Sequence, residues 1–105
     1  MDIDRRRLEI ARTDTGWTLS GEIDASSAPL LTEAFAELPT SDGPVAIDVH
    51  EVSFIDSSGL RVLIALAGRA RDAERSVVLE RPSSSVVRLI EITGLSEMFG
   101  VQNAG

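Results

Sequence analysis

The segment from Val45 to Asp72 constrains the fold more than any other, because one apolar run there gives way to another of different period. Val45, Ala46, Ile47, Asp48 and Val49 are mostly apolar and β-branched, the composition of a buried strand. Past "FIDSSGL" (Phe54 to Leu60) the spacing changes to threes and fours. Leu60, Leu63, Ile64, Ala67 and Ala70 make one helical stripe ending at about Asp72. A buried strand that feeds an amphipathic helix must cover its apolar faces with a second layer. The chain is therefore expected to build a sheet with helices packed on it.

The flanking sequence repeats that alternation. Leu8 to Arg12 alternates as a half-buried strand, and Thr13, Asp14, Thr15 and Gly16 form a hairpin-type turn. Trp17, Leu19 and Gly21 then share one face of a second strand. In "GEIDASSAPLL", Asp24 or one of the serines can cap a helix with Pro29 near its first turn. Leu31, Ala34, Phe35 and Leu38 continue that helix, and "PTSDGP" ends it. Ser76 to Glu80 is another short strand. A third helix follows, started by Pro82 and the serines 83–85, faced by Val86, Leu89, Ile90 and Thr93, and stopped by Gly94. Met98, Phe99 and Val101 either make a last short strand or cover the core. The predicted order is β-β-α-β-α-β-α, an α/β fold with a mixed sheet.

With 105 residues and neither a linker nor an internal repeat, residues 1–105 are expected to form one domain. The chain has no cysteine, which excludes disulfides, thiolate catalysis and Cys-ligated metal centres. Its net charge of −7 argues against direct nucleic-acid binding, which needs a basic footprint. Arg5, Arg6 and Arg7 are flanked by Asp2, Asp4 and Glu9 and are expected on a solvated strand edge. The N-terminus lacks a signal-type apolar stretch, and no segment approaches the ~20 apolar residues of a membrane span. Cytoplasmic residence is the expectation.

The "FIDSSGL" junction has several chemical readings. A helix start exposes unpaired N–H groups and carries partial positive charge, so Asp56, Ser57 or Ser58 can cap it. Gly59 allows backbone or a partner to approach closely. A serine hydrolase needs a base, and G-x-S-x-G is absent. The one histidine, His50, is expected at the end of the preceding strand, before a turn. Asp24, Asp48, His50, Glu51 and Asp56 have no metal-ligand spacing, and no phosphate-cradling glycine motif occurs, so neither metal nor cofactor is expected.

Two stretches carry a family resemblance. "LSGEIDASSAP", Leu19 to Pro29, and "VAIDVHEVSFIDSSGLRVLIAL", Val45 to Leu66, resemble the signature blocks of STAS domains. They resemble more closely those of bacterial anti-sigma factor antagonists of the sporulation and general-stress type. "VVRLIEITGLSEMF", Val86 to Phe99, resembles the family's third helix and closing segment, so the likeness covers nearly the whole chain. It implies a mixed sheet of about four or five strands with helices packed on it. It also implies a binding protein without catalysis, which engages an anti-sigma factor that is itself a GHKL-type serine kinase.

That kinase is expected to phosphorylate Ser57, the serine directly after the motif's aspartate, and a metal-dependent serine phosphatase to reverse it. Asp24, matching the first block's aspartate, is expected beside the modified serine. Asp56, Ser58, Gly59 and Arg61 complete the expected partner surface, with Arg69 and Asp72 as further exposed candidates on the following helix. The alternative is a STAS docking subunit of another system, a lipid transport complex or a stress-signalling scaffold; the serine directly after Asp56 favours the antagonist. Relatives often run into a last helix for which "VQNAG" is too short. The patch such a helix would cover makes a monomer or weak dimer the expected state.

Overall fold

The computed structural model describes residues 7–102. Its elements run β1 (Glu9–Arg12), β2 (Gly16–Ile23), α1 (Ala28–Ala34), β3 (Val45–Ile55), α2 (Ser57–Asp72), β4 (Val77–Glu80), α3 (Ser84–Thr93) and β5 (Gly100–Gln102). The five strands form one sheet in the order β1-β2-β3-β4-β5. The β1–β2 hairpin is antiparallel and every other pair is parallel, which makes the sheet mixed as expected. The closing segment does both things foreseen for it. Phe99 is buried in the core, and the next residues pair with β4. Of the basic triplet, Arg5 and Arg6 lie outside the described residues; Arg7 is exposed.

The hairpin turn closes with Thr13 N–H donating to the Gly16 carbonyl at 2.9 Å and Gly16 N–H donating to Thr13 Oγ1 at 3.0 Å. Gly16 is there for space. A Cβ at that position would lie 1.8 Å from the Ala46 carbonyl oxygen of β3. Beside it, Trp17 is buried and meets Phe35 with ring centroids 4.5 Å apart and planes at 51°. Such tilted aromatic contacts add to the burial energy.

β3 departs from the predicted strand. It runs eleven residues, well past Val49, and His50 stands inside it, exposed, with no turn after it. The reason lies in its pairing with β2. The register slips between Thr18 and Ser20 and again between Gly21 and Glu22, so β3 carries an extra residue at each place. Each bulge reverses the in–out alternation. Val49, Val52 and Ile55 therefore all reach the core at intervals of three, while His50, Glu51, Ser53 and Phe54 stay exposed. An alternation of period two cannot be followed through such a stretch, which is why the sequence pattern stops at Val49.

α1 is shorter than its apolar spacing implies and ends at Ala34. Phe35 and Leu38 still pack on the core, from beyond the helix end. Pro39 disfavours helical backbone at Leu38, and Arg69 of α2 donates to the freed carbonyls of Phe35 and Ala36. Arg75 similarly ties down the carbonyls of Pro39 and Gly43 at 2.7 and 2.8 Å. Arg69, a candidate for partner contact, thus serves as an internal staple while remaining exposed. α2 buries Leu60, Leu63, Leu66, Ala67 and Ala70, and α3 buries Val86 and Ile90. α3 starts on Ser83, whose Oγ accepts from Val86 N–H, and ends on Gly94 in the left-handed conformation, φ 74°. No helix among the described residues is long and apolar enough to cross a membrane.

Candidate functional site

β2 and β3 end in register, Ile23 opposite Ile55, and Asp56 N–H donates to the Ile23 carbonyl at 3.1 Å. Two strand-to-helix junctions, 24–27 and 56–59, consequently leave the same edge of the sheet on neighbouring parallel strands, about 5 Å apart. The carboxyl ends of parallel strands are where open α/β sheets present their working residues.

The second junction settles which residue caps α2. Asp56 has extended backbone, φ −116° and ψ −171°, and its Oδ1 accepts from Ser58 N–H at 2.8 Å and Gly59 N–H at 3.3 Å. Its own carbonyl accepts the first helical bond from Leu60 N–H at 3.0 Å. Ser57 is the first residue of α2. It is exposed, and its hydroxyl has no hydrogen bond among the described residues. Ser58 is half-buried, and its backbone rather than its hydroxyl serves the cap.

Gly59 is buried, contrary to its expected place on the partner surface. A Cβ there would stand 2.5 Å from Ile23 Cγ2 and 3.0 Å from Ile55 Cγ1. The close approach that needs glycine is that of α2 to the ends of β2 and β3. Gly59 seats the helix and leaves the outward face to its neighbours.

At the first junction the hydroxyls are consumed. Asp24 Oδ1 accepts from Ser26 N–H at 3.0 Å, Ser26 Oγ at 2.7 Å and Ser27 N–H at 3.1 Å. Ser27 Oγ in turn accepts from Asp24 N–H at 2.9 Å and donates to the Glu22 carbonyl at 3.2 Å. The Ser26 hydroxyl, joined by the backbone N–H groups of Ser27 and Ser26, holds the Asp24 carboxyl below its ordinary 3.8, against an opposing desolvation effect. Ser27 occupies the cap position of α1 but makes no side-chain cap bond. Asp24 is therefore an organiser of its own turn.

Between the two helix starts lies a shallow depression lined by Ala25, Ala28, Pro29, Thr32, Ser58 and Arg61. Arg61 is exposed and among the described residues makes no hydrogen bond or ion pair. Two features escaped the sequence reading: Leu30 on α1, 55% exposed, and Phe54 at the end of β3, 47% exposed. Phe54 follows a bulge, and only knowledge of that bulge turns its side chain outward. Asp72 is exposed at the far end of α2.

His50 is no partner for Ser57. Seven residues of largely extended chain separate them, roughly 20 Å, far beyond hydrogen-bond reach. Its backbone N–H donates to Asp48 Oδ1 at 3.0 Å. Among the described residues no three His, Asp or Glu side chains are grouped to hold a metal ion.

Comparison with known proteins adds the family. The family model described as "Mlab, STAS domain" matches residues 7–101. The anti-sigma-B factor antagonist of Listeria monocytogenes is 38% identical over 100 residues, covering 91% of this chain and 88% of the relative. A solved anti-sigma factor antagonist from Mycobacterium paratuberculosis superposes with a TM-score of 0.67 at 28% identity, covering 91% of this chain and 84% of that one. The anti-sigma factor antagonist SpoIIAA, solved in its unphosphorylated form, shares the fold with a TM-score of 0.63 at 21% identity, covering 94% and 89%.

Proposed function

The chain belongs to the STAS domain family, and we propose that it is an anti-sigma factor antagonist switched by phosphorylation of Ser57. It acts as a binding protein in the cytoplasm. It docks on a GHKL-type serine-kinase anti-sigma factor and so frees a sigma factor for transcription. The observation that carries this reading is the state of Ser57: an exposed hydroxyl, unbonded among the described residues, on the first residue of a helix already capped by its neighbour Asp56. The names of the similar antagonists support an anti-sigma factor as the partner.

In the switching step Ser57 Oγ attacks the γ-phosphorus of ATP. The Oγ–P bond forms, the bond from phosphorus to the β–γ bridging oxygen breaks, and ADP leaves. The hydroxyl proton passes to a base supplied by the kinase. The product carries about −1.5 to −2 charge at pH 7 where a neutral hydroxyl stood. Like charge set against a partner surface costs several kcal/mol, and about 1.4 kcal/mol is tenfold in affinity. A charge change at a fixed surface therefore suffices to release the partner. A metal-dependent serine phosphatase restores the hydroxyl. Asp56, Ser58 and Arg61 flank the contact, with Asp24 organising the neighbouring loop and Gly59 seating the helix beneath.

The test is incubation with GHKL-type anti-sigma kinases and ATP, followed by site mapping. Phosphate on Ser57 is expected. Phosphate on no serine, or only on Ser83 to Ser85, overturns the reading and leaves a docking subunit of another STAS system.

A further inference from the structure

A phosphate on Ser57 would find most of the start of α2 already taken. The N–H groups of Ser58 and Gly59 point at Asp56 Oδ1, and Leu60 N–H is bonded to the Asp56 carbonyl. The amides that ordinarily make a helix start attractive to an anion are occupied by a carboxylate, which also repels a second anion. Beyond the Ser57 N–H itself, charge compensation is left to a side chain.

One side chain is placed for it. Arg61 stands four residues after Ser57 on the same helix. Side chains at that spacing share a face, with Cβ atoms about 5–6 Å apart, and an anion preceding a cation is the favourable order. Arg61 is exposed and among the described residues its guanidinium is unengaged, whereas Arg69 on the same helix is committed to two carbonyls. Arg61 also lies near the positive end of α2, where the helix dipole disfavours a cation. An unpaired cation in an unfavourable position beside an exposed serine is explained if an anion joins it there.

We propose that Arg61 is the clamp for phosphoserine 57: its guanidinium pairs with the phosphate and holds it against the first turns of α2. The inference rests on the reading of Ser57 as the modified residue. Guanidinium and phosphate are matched for two parallel N–H···O bonds, a fit that lysine lacks. Modification then changes the surface twice. It adds a dianion, and it engages the free cation beside it. The pairing also keeps the phosphate doubly charged down to lower pH.

The experiment installs phosphoserine at position 57 during translation and follows the second ionisation of the phosphate by phosphorus NMR. The unpaired value is about 6. In the wild-type chain it is expected lower, and Arg61→Gln raises it by about half a unit, the scale of an exposed ion pair. Arg61→Lys restores part of the difference. Arg71→Gln removes an exposed arginine farther along the same helix and leaves the wild-type value in place. Equal titration in wild type and Arg61→Gln overturns the clamp. So does an equal shift in Arg71→Gln, which would show a general field rather than a pair. Because the phosphoserine is installed without a kinase, failure of kinases to modify Ser57 counts against the function alone and leaves this titration to stand or fall separately.

Discussion

The two junctions that leave the sheet side by side are written in nearly the same letters, Asp-Ala-Ser-Ser at 24–27 and Asp-Ser-Ser-Gly at 56–59, yet their hydroxyls fare differently. At the first, the aspartate draws both serines inward, and their hydroxyls are spent within the turn. At the second, the aspartate accepts from the N–H groups two and three residues on, as Asp24 does, but no hydroxyl joins them, and that of Ser57 stays unbonded among the described residues. The letter directly after the aspartate sets where the first serine falls. Ala25 moves the serines to two and three residues past Asp24, the reach of an Asx-type turn. At 56 the first serine follows immediately, on the far side of the cap.

The sharpest test of this contrast is to place a negative charge at each junction. Ser57→Glu is expected to weaken binding to the anti-sigma partner about a hundredfold, from a like-charge cost of several kcal/mol. Ser26→Glu is expected to change it only a few-fold. Titration of binding by calorimetry at fixed salt checks both, and equal losses would show that overall charge rather than position controls docking. Removing the aspartates comes next. Asp56→Ala is expected to cost about 1–2 kcal/mol of stability through loss of the cap of α2, and Asp24→Ala less, because Ser27 still braces its turn. Denaturant unfolding that ranks them the other way breaks the comparison.

The smallest effect is electrostatic. The Asp24 carboxyl titrates below its ordinary 3.8, with the Ser26 hydroxyl the largest cause. A depressed folded value means that its stabilisation is present above the unfolded value and is lost as pH falls through the folded one. In Ser26→Ala a carboxyl-carbon NMR titration is expected to move the Asp24 value up towards 3.8. No movement would remove the serine from the account of that turn.

Much of this was legible in the letters. The element order, the capping of α3 and the helical stripe of α2 follow from periodicity and punctuation alone. What resisted was where two segments had to be known together. Gly59 looks like an opening for a partner until Ile23 and Ile55 are seen beneath it. Arg69 looks solvated until the end of α1 arrives under it. His50 and Phe54 could not be assigned a side, because the bulges that turn them outward exist only in the pairing with β2. Ser57 itself was marked by the family motif; its unbonded state was visible only once Asp56 had been placed.

Those bulges have a consequence for the site they precede. From the pair Gly16–Ala46 to the pair Ile23–Ile55, β2 uses eight residues and β3 ten. The two surplus residues cancel in phase, so Asp56 emerges beside Asp24 with Ser57 outward. The facing of Ser57 is thus an arithmetic property of β3, kept by even parity. A single deletion in segment 50–54 would turn the following residues over, whereas removal of one residue from each bulge would turn them back.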